Sequence, residues 1–251
     1  MDTLSYWLLL VVVGLIAGVI NTLAGGGSNL TLPALMVLGM PPEVANATNR
    51  VGVALQCLVG SLGFKRHNQL PVEEIRPILW PTISGGLLGS IIASYAPSSW
   101  LKPMLLGTML TMAIVMLIRP SVIAPPPGTP ARTMQQTPSA WWVLFLAGIY
   151  GGFVQAGVGF ILIAALAGSL RYDLVRANAL KLVCSLTFTL VALVVFVVRG
   201  QVDWVPGLIL GLGTMTGAHL AVKMAIKAPA SVLKWFLFVM TLCGCAAALW
   251  L

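Results

Sequence analysis

Long apolar runs alternate with short clusters of Gly, Pro and charged residues along the whole chain. Within each run the apolar residues are continuous and do not alternate with polar ones at a period of two, which selects helices over strands. Cutting at the Gly, Pro and charge signals gives ten helical pieces, at about 5–22, 27–39, 43–64, 75–96, 100–118, 140–156, 159–170, 174–198, 203–222 and 229–250. The second and seventh have only 12 or 13 residues. At 1.5 Å per residue they reach about 18–20 Å, short of the roughly 30 Å hydrocarbon core of a bilayer.

The pieces repeat. ANATNRV (45–51) and ANALKLV (177–183) lie 132 residues apart, and the same offset pairs Gly25 with Gly157, Gly27 with Gly159, Phe64 with Phe196, Gln69 with Gln201, Gly85 with Gly217 and Lys102 with Lys234. Upstream the offset is 134, pairing Gly14 with Gly148 and Gly18 with Gly152, so the second half lacks two residues before its glycine motif. Two homologous halves are expected, residues 1–118 and 140–251, joined by a Pro-rich linker at 119–139. Each contains about five helical segments, including a Gly-broken pair of short or half helices, for eight to ten in all.

Composition fixes the environment. Hydrophobic residues make up 59% of the 251 and charged residues 8%, against about 25% charged in an ordinary soluble domain. The expectation is an all-α integral membrane protein of many passes, since only helices or closed barrels satisfy their backbone in lipid. Asp2, with no Lys or Arg before the first apolar run, is the wrong charge for a signal peptide, so that run reads as a retained helix. The net charge of +8 is spread over short loops rather than gathered into a nucleic-acid patch.

Loop charge also sets orientation. With antiparallel halves and both termini outside, ten basic residues fall inside: Lys65, Arg66, Arg76, Arg119, Arg132, Arg171, Arg176, Lys223, Lys227 and Lys234. Three stay outside, namely Arg50, Lys102 and Arg199. Parallel halves would give six against seven, so the positive-inside rule favours an inverted repeat.

Candidate chemistry centres on NTLAGGGSNLTLP, residues 21–33. Three consecutive glycines each weaken a helix by about 1 kcal/mol, so the first helix should break at Gly25, Gly26 and Gly27. A break within lipid is tolerated only when it is buried in protein or lines a wet cavity. The next helix would start at Ser28 and present free N–H groups and a positive dipole end, an arrangement suited to anions. Ser28, Asn29 and Thr31 could add donors, and QAGVGF repeats the arrangement with Gln155, Gly157 and Gly159. The alternative is that the glycines only let helices pack closely. Their recurrence in both halves favours a site.

The third piece of each half adds a polar stripe: Asn46, Asn49, Gln56 and Gly60, then Asn178, Lys181, Ser185 and Thr189. Lys181 lies inside an apolar helix, where it either snorkels to the headgroups or meets substrate, and its place beside Asn178 favours substrate. Arg50 reads as an outer gate or an interfacial anchor, and His219 as a structural histidine or a proton relay. Every carboxylate maps to a terminus, a loop or a helix end, so no acid is available at the midplane for Na⁺ or protons. The four cysteines lack metal spacing, and no H-E-x-x-H motif, paired intramembrane Asp or Ser–His pair at helix spacing is present. The reading is a transporter of a small anion, not an enzyme, with no metal or cofactor. Its partners are substrate and membrane lipid, with self-assembly left open and proton-coupled import as the alternative to export.

GLIAGVINTLAGGGSNLTLPALMVLGMPPEVANATNRV, followed by GIYGGFVQAGVGF and RANALKLV, resembles the sulfite exporter TauE/SafE (TSUP) family of inner-membrane permeases. The resemblance implies transport, usually outward, of sulfur-containing anions such as sulfite, sulfoacetate or other organosulfonates. It points to Gly25, Gly26, Gly27, Pro33, Asn46, Ala47, Thr48, Gly157, Gly159, Asn178 and Lys181. The second half departs from the pattern, with GVG for GGG and Ala165 in place of Pro33.

Overall fold

A computed structural model describes residues 3–97, 99, 100, 103, 104, 107 and 129–227. Most of the segment expected at 100–118, the linker up to residue 128, and the segment expected at 229–250 lie outside the described residues. The described elements are helices: α1 (Thr3–Leu23), α2 (Ser28–Val37), α3 (Pro42–Arg66), α4 (Ile75–Tyr95), α5 (Ser139–Phe153), α6 (Val158–Ile163), α7 (Leu174–Val198) and α8 (Trp204–Lys227). A 3₁₀ turn, Val72–Glu74, leads into α4, and a π-helical stretch, Ala164–Ser169, prolongs α6. Among the described residues, four segments are long and apolar enough to cross a bilayer: Leu4–Leu23, Val72–Tyr95, Leu174–Val198 and Trp204–Lys227.

Local chemistry explains most boundaries. Pro41 and Pro42 open α3, where a missing N–H costs nothing and φ is already near the helical value. The Asp173 side chain accepts from the Val175 and Arg176 N–H groups and caps α7. α8 runs five residues past the expected end at 222, because Lys223 does not stop a helix and no Gly or Pro occurs before Pro229.

Glycine seams join the helices. Gly14 lies against Leu210 and Gly18 against Thr214, so α1 and α8 run side by side in one direction. α3 shares that direction, with Gly52 on Leu210 and Gly63 on Val222. In the other group, Gly148 faces Thr82 and Gly152 faces Gly86, which makes α4 and α5 parallel. α7 runs with them, since Gly86 meets Phe188 and Gln201, just past α7, donates to the Ser94 carbonyl. The groups oppose each other: Gly60 of α3 meets Leu182, whereas Thr48, twelve residues earlier, bonds to Asp203 beyond the far end of α7. Helices without bulky side chains at the seam gain dispersion contacts that lipid cannot supply.

Each broken segment folds back. Gly27 packs on Ala17 and Asn21, while Leu35 clusters with Leu10 and Ala45, so α2 returns alongside α1. In the second half, the Arg132 N–H donates to the Leu170 carbonyl at 2.7 Å, so α6 and its π stretch return to the start of α5. Both are helical hairpins. Their tips touch, because Gly25 sits on Gly159 so closely that a methyl group on either would strike the other's backbone. Gly25 has φ 101°, a conformation open to glycine.

The first break spans residues 24–27, as expected, but the second falls at 154–157 rather than 157–159. With two residues fewer before its motif, α5 stops at Phe153, and the turn is made by Gln155 (φ 66°) and Gly157 (φ 75°). Gly159 lies in the first turn of α6, where its missing side chain admits Gly25.

Candidate functional site: two buried cations at the hairpin tips

The final carbonyls of a helix have no intrahelical donor and carry its negative dipole end. Where α1 stops inside the protein, Lys181 of α7 supplies donors. Its Nζ donates to the carbonyls of Asn21 (2.8 Å) and Thr22 (3.0 Å) and to Asn178 Oδ1 (2.7 Å). The ammonium is 1% exposed, and all three of its protons are engaged.

The end of α5 receives the same treatment from the other half. Arg50 of α3 is 0% exposed. Its Nη1 donates to the Gly151 carbonyl and to Gln155 Oε1, and its Nη2 to the Gly152 carbonyl (2.9 Å) and Asn46 Oδ1 (3.4 Å). Asn46 Nδ2 takes the next carbonyl, that of Phe153, at 2.9 Å. The guanidinium also sits 5.6 Å from the Phe196 ring centroid, within cation–π range.

The bracing is therefore crossed: each half's third helix sends a cation, one turn after an Asn, to the interrupted helix of the other half. Arg50 is fully buried inside the protein rather than on its surface. Eight residues separate it from the start of α3, which places it about 12 Å along the helix. Gly60 faces Leu182 across the antiparallel pair, and Arg50 lies ten residues before Gly60, so the backbone levels of the two residues differ by about 15 Å along α3, while the Lys181 side chain reaches back to Thr22, the partner of Gln56.

Neither cation has a carboxylate partner among the described residues; the ion pair there is Arg176 with Asp173, at 3.4 Å, on the surface. Isolated charges are very costly to bury, so the neutral oxygens around them carry the compensation. Removing either cation would orphan two or more acceptors, at about 1–3 kcal/mol each. Each cluster also leaves one buried donor without a partner among the described residues: Arg50 Nε and Asn178 Nδ2.

The remaining site residues divide by position. Asn49 ties α3 to α2, accepting from Thr31 Oγ1 (2.6 Å) and donating to Ser28 Oγ (3.1 Å). Gln155 bridges Arg50 to Thr189 Oγ1 (3.0 Å), and Gln56 reaches Thr22 Oγ1 (3.4 Å). Gly26 lies under the Phe160 ring. Gly25, Gly26, Gly27, Ser28, Asn46, Asn49, Gln155, Gly157, Gly159, Asn178 and Lys181 thus gather at or beside the two tips. Thr48 stands apart, accepting from the Asp203 N–H (3.0 Å) where α8 begins. His219 is on the exposed face of α8, away from the tips. Sequence reasoning missed that Gly151, Gly152, Asn21 and Thr22 contribute carbonyls; the signal available was that an internal helix end must find donors.

This is a multi-pass helical membrane protein whose interior holds two broken helices and two cations without a carboxylate partner among the described residues. The family model described as "Sulfite exporter TauE/SafE" matches residues 10–248, and the chain belongs to that family. Membership indicates a membrane transporter. The chain is 29% identical to a "Probable membrane transporter protein" of Haemophilus influenzae, covering 91% of this chain and 89% of that one. It is 28% identical to "Probable membrane transporter protein ORF9" of Sinorhizobium sp, over 96% and 92%. It is also 25% identical to "Probable membrane transporter protein YfcA" of Escherichia coli K12, over 86% and 79%.

Proposed function

We propose that the protein exports small sulfur-containing anions, such as sulfite, sulfoacetate or another organosulfonate, across the bacterial inner membrane by alternating access. The observation that carries this reading is the pair of buried cations, Arg50 and Lys181, held at the tips, among the described residues, by neutral oxygens. Two positive charges without counter-ions in a low-dielectric interior attract an anion and repel cations. Among the described residues neither cluster contains a carboxylate to carry Na⁺ or a proton. With the cell interior negative, each negative charge leaving gains about 2.3 kcal/mol per 100 mV, so export proceeds without a coupling ion.

The halves, 1–118 and 140–251, are read as inverted repeats joined by the 119–139 linker. The opposed helix directions support this: α1, α3 and α8 run one way, and their partners at the repeat offset, α5, α7 and α4, run the other. With both termini periplasmic and Arg50 buried, Lys102 and Arg199 are the basic residues left for the outer side, in keeping with the positive-inside rule. The tips are then re-entrant hairpins from opposite leaflets, and alternating access is one repeat moving against the other.

The test is efflux of sulfite, sulfoacetate or methanesulfonate from proteoliposomes under an imposed inside-negative potential. Efflux of a sulfur oxyanion that rises with potential, and is lost in Lys181→Ala while the variant still folds, is the expected result. Flux of none of these anions, or undiminished flux in Lys181→Ala, would overturn the reading.

A further inference from the structure

The crossed bracing has a mechanical consequence. Lys181 belongs to the second half but holds the end of α1, and Arg50 belongs to the first half but holds the end of α5. Any motion of one half against the other pulls both cations off these carbonyls. A neutral carbonyl is a weaker partner for a buried cation than a charged oxyanion is. An anion arriving at either cluster also meets a donor with no partner among the described residues, Asn178 Nδ2 beside Lys181 or Nε of Arg50.

We propose that Arg50 and Lys181 form paired anion stations that double as latches. Each holds the opposite half's hairpin closed until a sulfonate-type or sulfite oxyanion takes the cation from the helix-end carbonyls. The stations hold different helix ends, Lys181 that of α1 and Arg50 that of α5, so the anion is handed from one to the other. Release of one hairpin while the other stays latched gives a pathway open to one side at a time. The release step rests on the anion reading above, whereas the latch geometry does not.

Hydrogen–deuterium exchange of the purified full-length protein separates the two. The informative peptides cover residues 20–32 and 150–162, measured without anion, with sulfite or methanesulfonate, and with chloride at matched ionic strength. Lys181→Met should speed exchange about tenfold or more in 20–32 and leave 150–162 unchanged; Arg50→Met should do the reverse. Sulfite or methanesulfonate should speed exchange at the tips of the wild type, chloride should not, and each Met variant should lose the response at the hairpin it no longer holds. Lys181→Arg and Arg50→Lys, which keep the charge, should keep the latch and cover the case of a Met variant that does not fold. If each substitution loosens its own half's hairpin, or both hairpins alike, the latch is wrong. If loosening is crossed but sulfite and methanesulfonate leave wild-type exchange unchanged while flux persists, anion release is wrong. Crossed loosening in a protein that moves no anion would instead sink the transport reading and leave the latch standing.

Discussion

Replacing Gly25 with Ala tests whether the two hairpin tips abut. Two penalties add at this position. The backbone has φ 101°, where a Cβ costs about 1–2 kcal/mol. The new methyl would also lie 2.6 Å from the Gly159 carbonyl carbon and 3.1 Å from the Phe160 nitrogen, and forcing an extra carbon into packed backbone costs about 1–3 kcal/mol. Gly39 is the control, because it has φ 94° with nothing within 4 Å of a Cβ. Gly39→Ala should therefore show the backbone penalty alone. At roughly 2–4 °C per kcal/mol for a chain of this length, Gly25→Ala should melt about 2–12 °C below Gly39→Ala in detergent. Gly159→Ala should carry the steric part without the φ part. Because the two glycines share one contact, the Gly25→Ala/Gly159→Ala double variant should be less destabilised than the sum of the singles, with a coupling of about 0.5–3 kcal/mol. Equal melting of Gly25→Ala and Gly39→Ala, or strict additivity of the double variant, would refute the tip-to-tip contact.

Other expectations follow from single contacts. His219→Gln should leave anion flux, and its indifference to a pH gradient, unchanged in proteoliposomes, since the side chain lies on the exposed face of α8. Asp173→Ala removes the acceptor for two backbone N–H groups at the start of α7 and should lower stability by about 1 kcal/mol, read as a drop in melting temperature. Thr48→Val orphans the Asp203 N–H and should cost about 1 kcal/mol in the same assay, with flux retained in protein that folds.

Much of the fold was legible because it depends on short-range signals. Gly and Pro mark where helices stop, so the eight described helices each begin or end within a few residues of expectation. The first break, at Gly25–Gly27, needed only the glycine penalty. The second was misplaced by two residues, since the 132-residue offset assigns the turn to Gly157–Gly159, whereas the shorter approach of α5 moves it to 154–157. The π stretch at Ala164–Ser169, in the half where Ala165 replaces Pro33, leaves no mark in apolar periodicity. Arg50 was the largest miss. The repeat offset pairs Arg50 with Leu182 and Lys181 with Asn49, so sequence symmetry does not reveal that the two cations do equivalent work. Their equivalence exists only across space, where α3 and α7 run antiparallel and each carries its charge to the other half's interrupted helix.

The central claim, that the two buried cations make the interior an anion site, is tested most directly by thermal shift of the purified protein against sulfite, sulfoacetate, taurine, thiosulfate, sulfate and lactate. A ligand of the folded state at about a hundred times its Kd adds roughly 2.7 kcal/mol. For a chain of this length that is a rise of about 5–10 °C. The account predicts such a rise with at least one sulfur oxyanion, reduced in both Lys181→Met and Arg50→Met. A rise of the same size in both variants would place the anion elsewhere and contradict the account.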